Sequence, residues 1–375
     1  MTDVLSNSGD PKPQPKKPRI SNDDLYRNST QFEIWSFTKE ELHNAKRKVH
    51  EKGLKAASKN FDIALSKAKQ ENPDIFQKYP NEFKKDEIIS TLTQEEESIY
   101  LDFYVKNATA TCNHFKMPTQ VRLTAASFFK KFYLINSVME YHPKNILYTC
   151  IFLAAKSENY FISIEKFVNS LQNLKVKDIL DLEFIVLQSL KFTLLVHHPI
   201  RPLYGFFLDF QAELLHPSPV MYDVSVDTIG NLYNKAKEWL NKYYMFSDVA
   251  FLYTPPQIAL AAMYDVDKRI TDKYLKRKYL KETPKDEIIE VDKDGQEVNG
   301  TAEVDDKTKT SNREQYETLV RLIRKCSKLA KELPETDREK SKDIDKKCYF
   351  ALHPYKLINK KIKKLSNENG TPAAS

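Results

Sequence analysis

Apolar positions recur along most of this chain at helical spacing. From Val121 they fall at Val121, Ala125, Phe128, Phe129, Phe132 and Ile135, with Lys130 and Lys131 on the other side. Steps of three and four residues predict an amphipathic helix. Pro143 stands where a helix tolerates proline, in its first turn. Ile146, Leu147, Cys150, Ile151, Leu153, Ala154 and Ala155 follow it, and the run stops at Lys156-Ser157-Glu158. Ser163 to Leu171 reads as a short helix. Val176 to Lys191 is apolar on nearly every side, at Ile179, Leu180, Leu182, Phe184, Ile185, Val186, Leu187 and Leu190. A helix of that kind is expected to be surrounded by others, so it reads as the central post of a helical domain spanning about 95–196.

A second pass resembles the first. Pro143-Lys-Asn-Ile146 opens one apolar helix and Pro255-Pro-Gln-Ile258 opens another. An aromatic amphipathic helix precedes each: Val121 to Ile135, then Leu232 to Phe246. The pattern predicts two copies of one helical unit. Capping boxes mark helix starts at Thr38 with Glu41, Thr93 with Glu96 and Thr254 with Gln257, because the hydroxyl and the side chain three residues on satisfy each other's free amides. The first opens a long polar helix to about Gln70, the second a helix to about Phe115.

Five segments result. Residues 1–20 form a Pro- and Lys-rich tail that cannot bury a core and is expected to be disordered. Residues 21–92 hold the N-terminal segment and helix, with Leu25, Tyr26, Phe32, Ile34, Trp35 and Phe37 expected to lie extended against a folded surface. The first unit spans 93–196 and the second 197–333. Within the second, 282–312 carries ten acids against four lysines and few large apolar groups, the composition of a disordered insertion. Residues 334–375 read as a helical, basic tail.

Composition narrows the chemistry. Only 7 of 375 residues are glycine, too few and too scattered for a phosphate-binding loop or GxGxxG. The four cysteines, Cys112, Cys150, Cys326 and Cys348, form no CxxC and suit a reducing compartment. No apolar run reaches membrane-spanning length, and the N-terminus lacks an apolar signal segment. Net charge is +7. Lys16-Lys17-Pro18-Arg19 fits a nuclear import signal and a solvated tail equally well. His197-His198-Pro199, the one histidine cluster, is expected to cap helix-end carbonyls. Nothing places a nucleophile beside a base, so the reading is of a protein without catalytic groups, metal or other cofactor, or small-molecule ligand.

One feature stays unexplained by packing. Lys156 ends an apolar helix and Glu183 interrupts another. A charge in such a helix is costly unless paired or at a surface. Either each reaches solvent, or both edge a concave surface and hydrogen-bond the backbone ends of a partner.

The ordered strings Phe128-Phe-Lys-Lys-Phe-Tyr-Leu-Ile-Asn-Ser-Val-Met-Glu-Tyr-His-Pro143, Phe152-Leu-Ala-Ala-Lys156, Val196-His-His-Pro-Ile-Arg-Pro202, Gly205-Phe-Phe-Leu-Asp209 and Leu252-Tyr-Thr-Pro-Pro-Gln-Ile-Ala-Leu260 resemble the cyclin family. Tyr26-Arg-Asn-Ser-Thr-Gln31 and Trp35-Ser-Phe-Thr38 place the likeness within its cyclin H branch. The resemblance covers about 20–333. It implies an all-α fold of two tandem five-helix cyclin boxes with flanking N- and C-terminal helices. It implies a regulatory subunit that activates a cyclin-dependent kinase of the TFIIH module, acting on the RNA polymerase II C-terminal domain or on kinase activation loops in the nucleus. Implied partners are that kinase, a third assembly subunit of the MAT type and the TFIIH core. Lys156 and Glu183 match the charged pair that contacts the kinase, and Leu187, Phe192 and Leu194 match positions that pack on its movable helix. The segment Glu95 to Phe115 lacks the MRAIL-type docking sequence of cell-cycle cyclins, and the N-terminal region lacks an RxxL destruction signal. The competing readings are a TFIIB-like DNA-binding factor, which would carry an N-terminal zinc ribbon that the absence of CxxC denies, and a helical scaffold with no kinase.

Overall fold

A computed structural model describes residues 26–171, 174–215, 224–280, 290–291, 297–298, 306–333 and 338–368. The basic tail 1–20 lies outside the described residues. The helices are α1 (Thr30–Trp35), α2 (Lys39–Glu71), α3 (Pro73–Lys78), α4 (Lys85–Ile88), α5 (Gln94–His114), α6 (Thr119–Phe132), α7 (Pro143–Ser157), α8 (Ile164–Asn169) and α9 (Val176–Ser189). The second half holds α10 (Ile200–Leu215), α11 (Val226–Trp239), α12 (Val249–Leu252), α13 (Pro255–Val266), α14 (Lys268–Leu280), α15 (Asp306–Lys331), α16 (Arg338–Leu352) and α17 (Pro354–Glu368). Among the described residues the only strands are β1 (Glu290–Val291) and β2 (Glu297–Val298), an antiparallel pair of two residues each.

The fold is all-α. Helices α5 to α9 form one unit, with α7 packed by α5, α6 and α9. Helices α10, α11 and α13 to α15 form the second, with α13 packed by α10, α11, α14 and α15. Helix α7 buries Ile146, Leu147, Cys150, Ile151, Leu153, Ala154 and Ala155, and α13 buries Ile258 through Tyr264. These two proline-started helices are the true central posts. One continuous hydrophobic core joins the units. The three expected capping boxes all form.

Several expectations are corrected. The helix Val176 to Lys191 is not a central post: α9 buries only Ile179 and Val186, while Leu180 and Phe184 are exposed. Lys130 and Lys131 do not face solvent. Lys131 is buried and Lys130 donates to the Ser247 carbonyl at 2.7 Å, because the second unit and the N-terminal segment cover that side of α6. The N-terminal apolar segment is not extended there: Ser29 accepts from the Phe32 amide and starts α1. Helix α15 begins at Asp306, so 306–312 is helical rather than disordered. Residues 290–291 and 297–298 of the same stretch are paired, and its remainder lies outside the described residues.

His198 caps no helix end. Its Nε2 meets Thr124 Oγ1 at 2.8 Å and its Nδ1 meets the Tyr244 hydroxyl at 3.4 Å. Thr124 donates its own proton to Glu158 at 2.6 Å, so His198 donates from Nε2 and accepts at Nδ1. Burial pushes its pKa down to about 3, which keeps the ring neutral. The residue is a bridge between the units, from α6 to the π-helical segment Leu240–Tyr244 that continues α11.

Helix α2 lies across the first unit. At Gly53 a Cβ would stand 2.1 Å from Ser137 Oγ, so glycine permits that close crossing. Glu97 seals the same junction, accepting from Ser137 Oγ at 2.6 Å and the Val138 amide at 3.0 Å and meeting His50 at 2.8 Å.

Candidate partner-binding surface

Lys156 stands in the last turn of α7 and Glu183 in the middle of α9. The structure brings them together: the Lys156 ammonium donates to Glu183 Oε1. Lys156 also lies 4.9 Å above the Phe152 ring. The Lys156 side chain is 45% exposed, and exposed pairs contribute about 0–1 kcal/mol. The pair therefore holds two opposite charges in a fixed place at the surface more than it stabilises the fold.

Apolar side chains surround it. Leu180, Phe184 and Leu187 follow each other at helical spacing along α9, so they share a face. Phe184 is 64% exposed and Phe192 60%, with ring centroids 6.2 Å apart. Lys191 and Phe192 have φ of 52° and 56°, left-handed backbone that costs energy for residues with a Cβ. The Phe192 amide reaches back to the Leu187 carbonyl at 3.0 Å, and the turn carries Phe192 outward rather than into the core. Leu187 and Leu194 are half-buried against the core. Leu195 is exposed.

The segment behind this surface is tied down by α1. Trp35 Nε1 donates to Thr193 Oγ1 at 2.9 Å. Gln31 accepts from the His197 amide at 2.7 Å and donates to the His197 carbonyl at 3.2 Å. Ser157 Oγ donates to the Leu194 carbonyl at 3.3 Å. Residues 193–197 are thus held on both sides, which fixes where Phe192 and Leu195 emerge.

All five expected residues belong to this region. The sequence reading missed Leu180, Phe184 and Leu195. Their signal was present in α9, whose apolar residues outnumber what one buried stripe can use. An exposed apolar cluster of this kind is a candidate interaction surface. Among the described residues no group of three or more His, Cys, Asp or Glu is placed to hold a metal ion, and no helix is long and apolar enough to cross a membrane.

Comparison with known proteins gives this geometry its context. The family signature described as Cyclin, N-terminal domain matches residues 68–195, and that described as Cyclin C-terminal domain matches 198–331. Cyclin CCL1 of Saccharomyces cerevisiae is 37% identical over 278 residues, 73% of this chain and 66% of that protein. Cyclin mcs2 of Schizosaccharomyces pombe is 36% identical over 259 residues, 69% of this chain and 74% of that protein. A chain of the solved yeast TFIIK (Kin28/Ccl1/Tfb3) complex superposes with a TM-score of 0.56 at 30% identity, covering 82% of this chain and all of that one.

Proposed function

This chain belongs to the cyclin family, and on that premise we propose that it is the regulatory subunit of a TFIIH-type cyclin-dependent kinase. Its output is phosphorylation of the RNA polymerase II C-terminal domain, of kinase activation loops, or of both. The observation that carries this reading is α9: a helix apolar on nearly every side that leaves Leu180 and Phe184 in solvent beside the Lys156–Glu183 pair.

In this proposal Leu187, Phe192 and Leu194, with Leu180 and Phe184, receive the kinase's movable helix. Lys156 donates to backbone carbonyls at one end of the docked segment and Glu183 accepts from amides at the other. The kinase exchanges between an inactive state and one in which its Lys–Glu pair forms. Only the second presents the helix that covers this surface, so binding shifts the population toward it. The chain supplies no catalytic group. A third assembly subunit and the TFIIH core complete the complex in the nucleus. The yeast TFIIK (Kin28/Ccl1/Tfb3) assembly, which contains a similar chain, supports a third subunit.

The test mixes the purified chain with a TFIIH-type kinase and follows phosphorylation of an RNA polymerase II tail peptide. Activation is expected. Lys156→Ala with Glu183→Ala should weaken kinase binding by about 2–5 kcal/mol, the range for interfacial charges that lose their contacts, with an unchanged circular dichroism spectrum. No stimulation by the wild-type chain defeats the reading, and unaltered affinity in the double variant moves the binding surface elsewhere.

A further inference from the structure

A cavity of about 220 Å³ lies between α2, the start of α5, the end of α6 and the turn that enters α12. No residue of the α9 surface lines it. Three bodies meet there: the N-terminal helix, the first box and the second box. Val49, Leu101, Phe129 and Phe251 give it apolar walls. The volume falls below the roughly 300–1,000 Å³ typical of drug-sized pockets and suits one long side chain.

The charges in the cavity are unevenly matched. Lys46 Nζ is taken by Asp248 at 2.5 Å, and Lys130 Nζ by the Ser247 carbonyl at 2.7 Å. Asp102 also lines the cavity and forms no hydrogen bond or ion pair within 4 Å among the described residues. Desolvation lifts its carboxyl to about 6, against the pull of Lys130, Lys46 and Lys106 and with the push of Asp248.

Three kinds of occupant can be compared. An anion would meet the unpaired carboxylate of Asp102, since both lysines, Asp248 and Glu97 are already engaged. A purely apolar group would fill the walls and bury Asp102 without a partner, which costs more than the walls return. A cation on an apolar stem matches both features, and its paired, desolvated head would be stronger than a surface ion pair. We propose that this cavity is a recognition pocket for one basic side chain, Arg or Lys, presented by a partner polypeptide, with its head on Asp102 and its methylene stem among Val49, Leu101 and Phe251. Because the lining comes from three bodies, the occupant would also fasten them together.

The probes are n-butylguanidine, n-butylurea of the same shape without charge, and the peptide acetyl-Gly-Gly-Arg-Gly-Gly-amide. Each is titrated into the full-length chain while the methyl resonances of Val49 and Leu101 are followed by NMR. Saturable shifts with n-butylguanidine at least tenfold tighter than with n-butylurea are expected. In Asp102→Asn that preference should fall below twofold, with the melting curve checking the fold. The peptide should bind at least fivefold tighter than n-butylguanidine; equal affinity would overturn the polypeptide source in favour of a free small cation. Equal binding of the charged and neutral probes to the wild type, or no shift at either residue, overturns the pocket, and that comparison needs no variant to fold.

Discussion

Lys131 carries the plainest energetic oddity at the residue scale. It is 2% exposed and its ammonium has no hydrogen-bond partner among the described residues. What it has is the Trp35 ring, 5.3 Å away. Burial pulls its pKa down to about 7. The folded protein therefore binds fewer protons at this site than the unfolded chain between about pH 7 and the ordinary lysine value near 10.4, and stability rises with pH across that window. Below it the cost of the buried charge is constant. Lys131→Met keeps the stem, removes the charge and should stabilise the fold by about 1–4 kcal/mol at pH 6.5, the gain seen when buried ions become apolar. The gain should shrink toward zero by pH 10. Urea melts at the two pH values measure this, and a Met variant less stable at pH 6.5 would show that the ring holds the ammonium better than water does. The sequence could not place this lysine inward. Charge in a helix repeat reads as a solvent face, and only contacts from distant parts of the chain, Trp35 among them, cover it.

At the scale of the element, α9 shows how far periodicity reaches. Its existence, its limits and its apolar character were all legible from Val176 onward. Which side faces inward was not, because a helix apolar on nearly every side gives little contrast between its faces. The structure supplies that contrast: Ile179 and Val186 are fully buried while Phe184 and Leu180 stand out. Substitutions along the one helix should separate accordingly. Ile179→Ala opens a cavity in the core and should cost about 2–5 kcal/mol of stability. Phe184→Ser removes an exposed ring, so stability should change by no more than about 0.5 kcal/mol, while kinase affinity falls by about 1–2 kcal/mol or more as for a central interface aromatic. Denaturant melts and a binding titration on the same two proteins measure both. Loss of stability in Phe184→Ser with unchanged affinity would mean that the ring serves the fold and that α9 is not the docking face. The neighbouring pair Lys156 and Glu183 was legible for the opposite reason: a charge that breaks an apolar run is conspicuous in one dimension, and the fold then places the two side by side.

The doubled architecture of the whole molecule was readable because each unit repeats a proline-started apolar helix behind an aromatic one. The parts that bind the units to their flanks were not. Helix α1 reaches Thr193 and His197 across more than 150 positions, contacts that no local pattern announces. The C-terminal helices were read only as a basic, helical tail, since Lys356 to Lys364 sets five lysines against only Leu357, Ile358 and Ile362. A narrow stripe is nevertheless enough to dock them. Ile344, Cys348 and Ala351 of α16 are buried, and α16 packs on α5 and α2. Ile358 and Ile362 of α17 close a separate small core with Phe61, Ala64, Ala68, Phe83 and Ile89 around the far end of α2. That small core shares no buried residue with the large one, so it should open on its own. Ile358→Asp with Ile362→Asp places two carboxylates in it, and neither has a cation among the residues of that cluster. Each should cost about 3 kcal/mol or more, the transfer of a buried apolar side chain plus the burial of an unpaired charge. Because local openings follow contiguous packing units, amide exchange should accelerate in residues 354–368 and in the C-terminal half of α2. Protection in α7 and α13 should stay at the wild-type level. Hydrogen exchange read by mass spectrometry on the full-length variant resolves these segments, and a uniform loss of protection through both boxes would show that the tail is part of one cooperative unit with them.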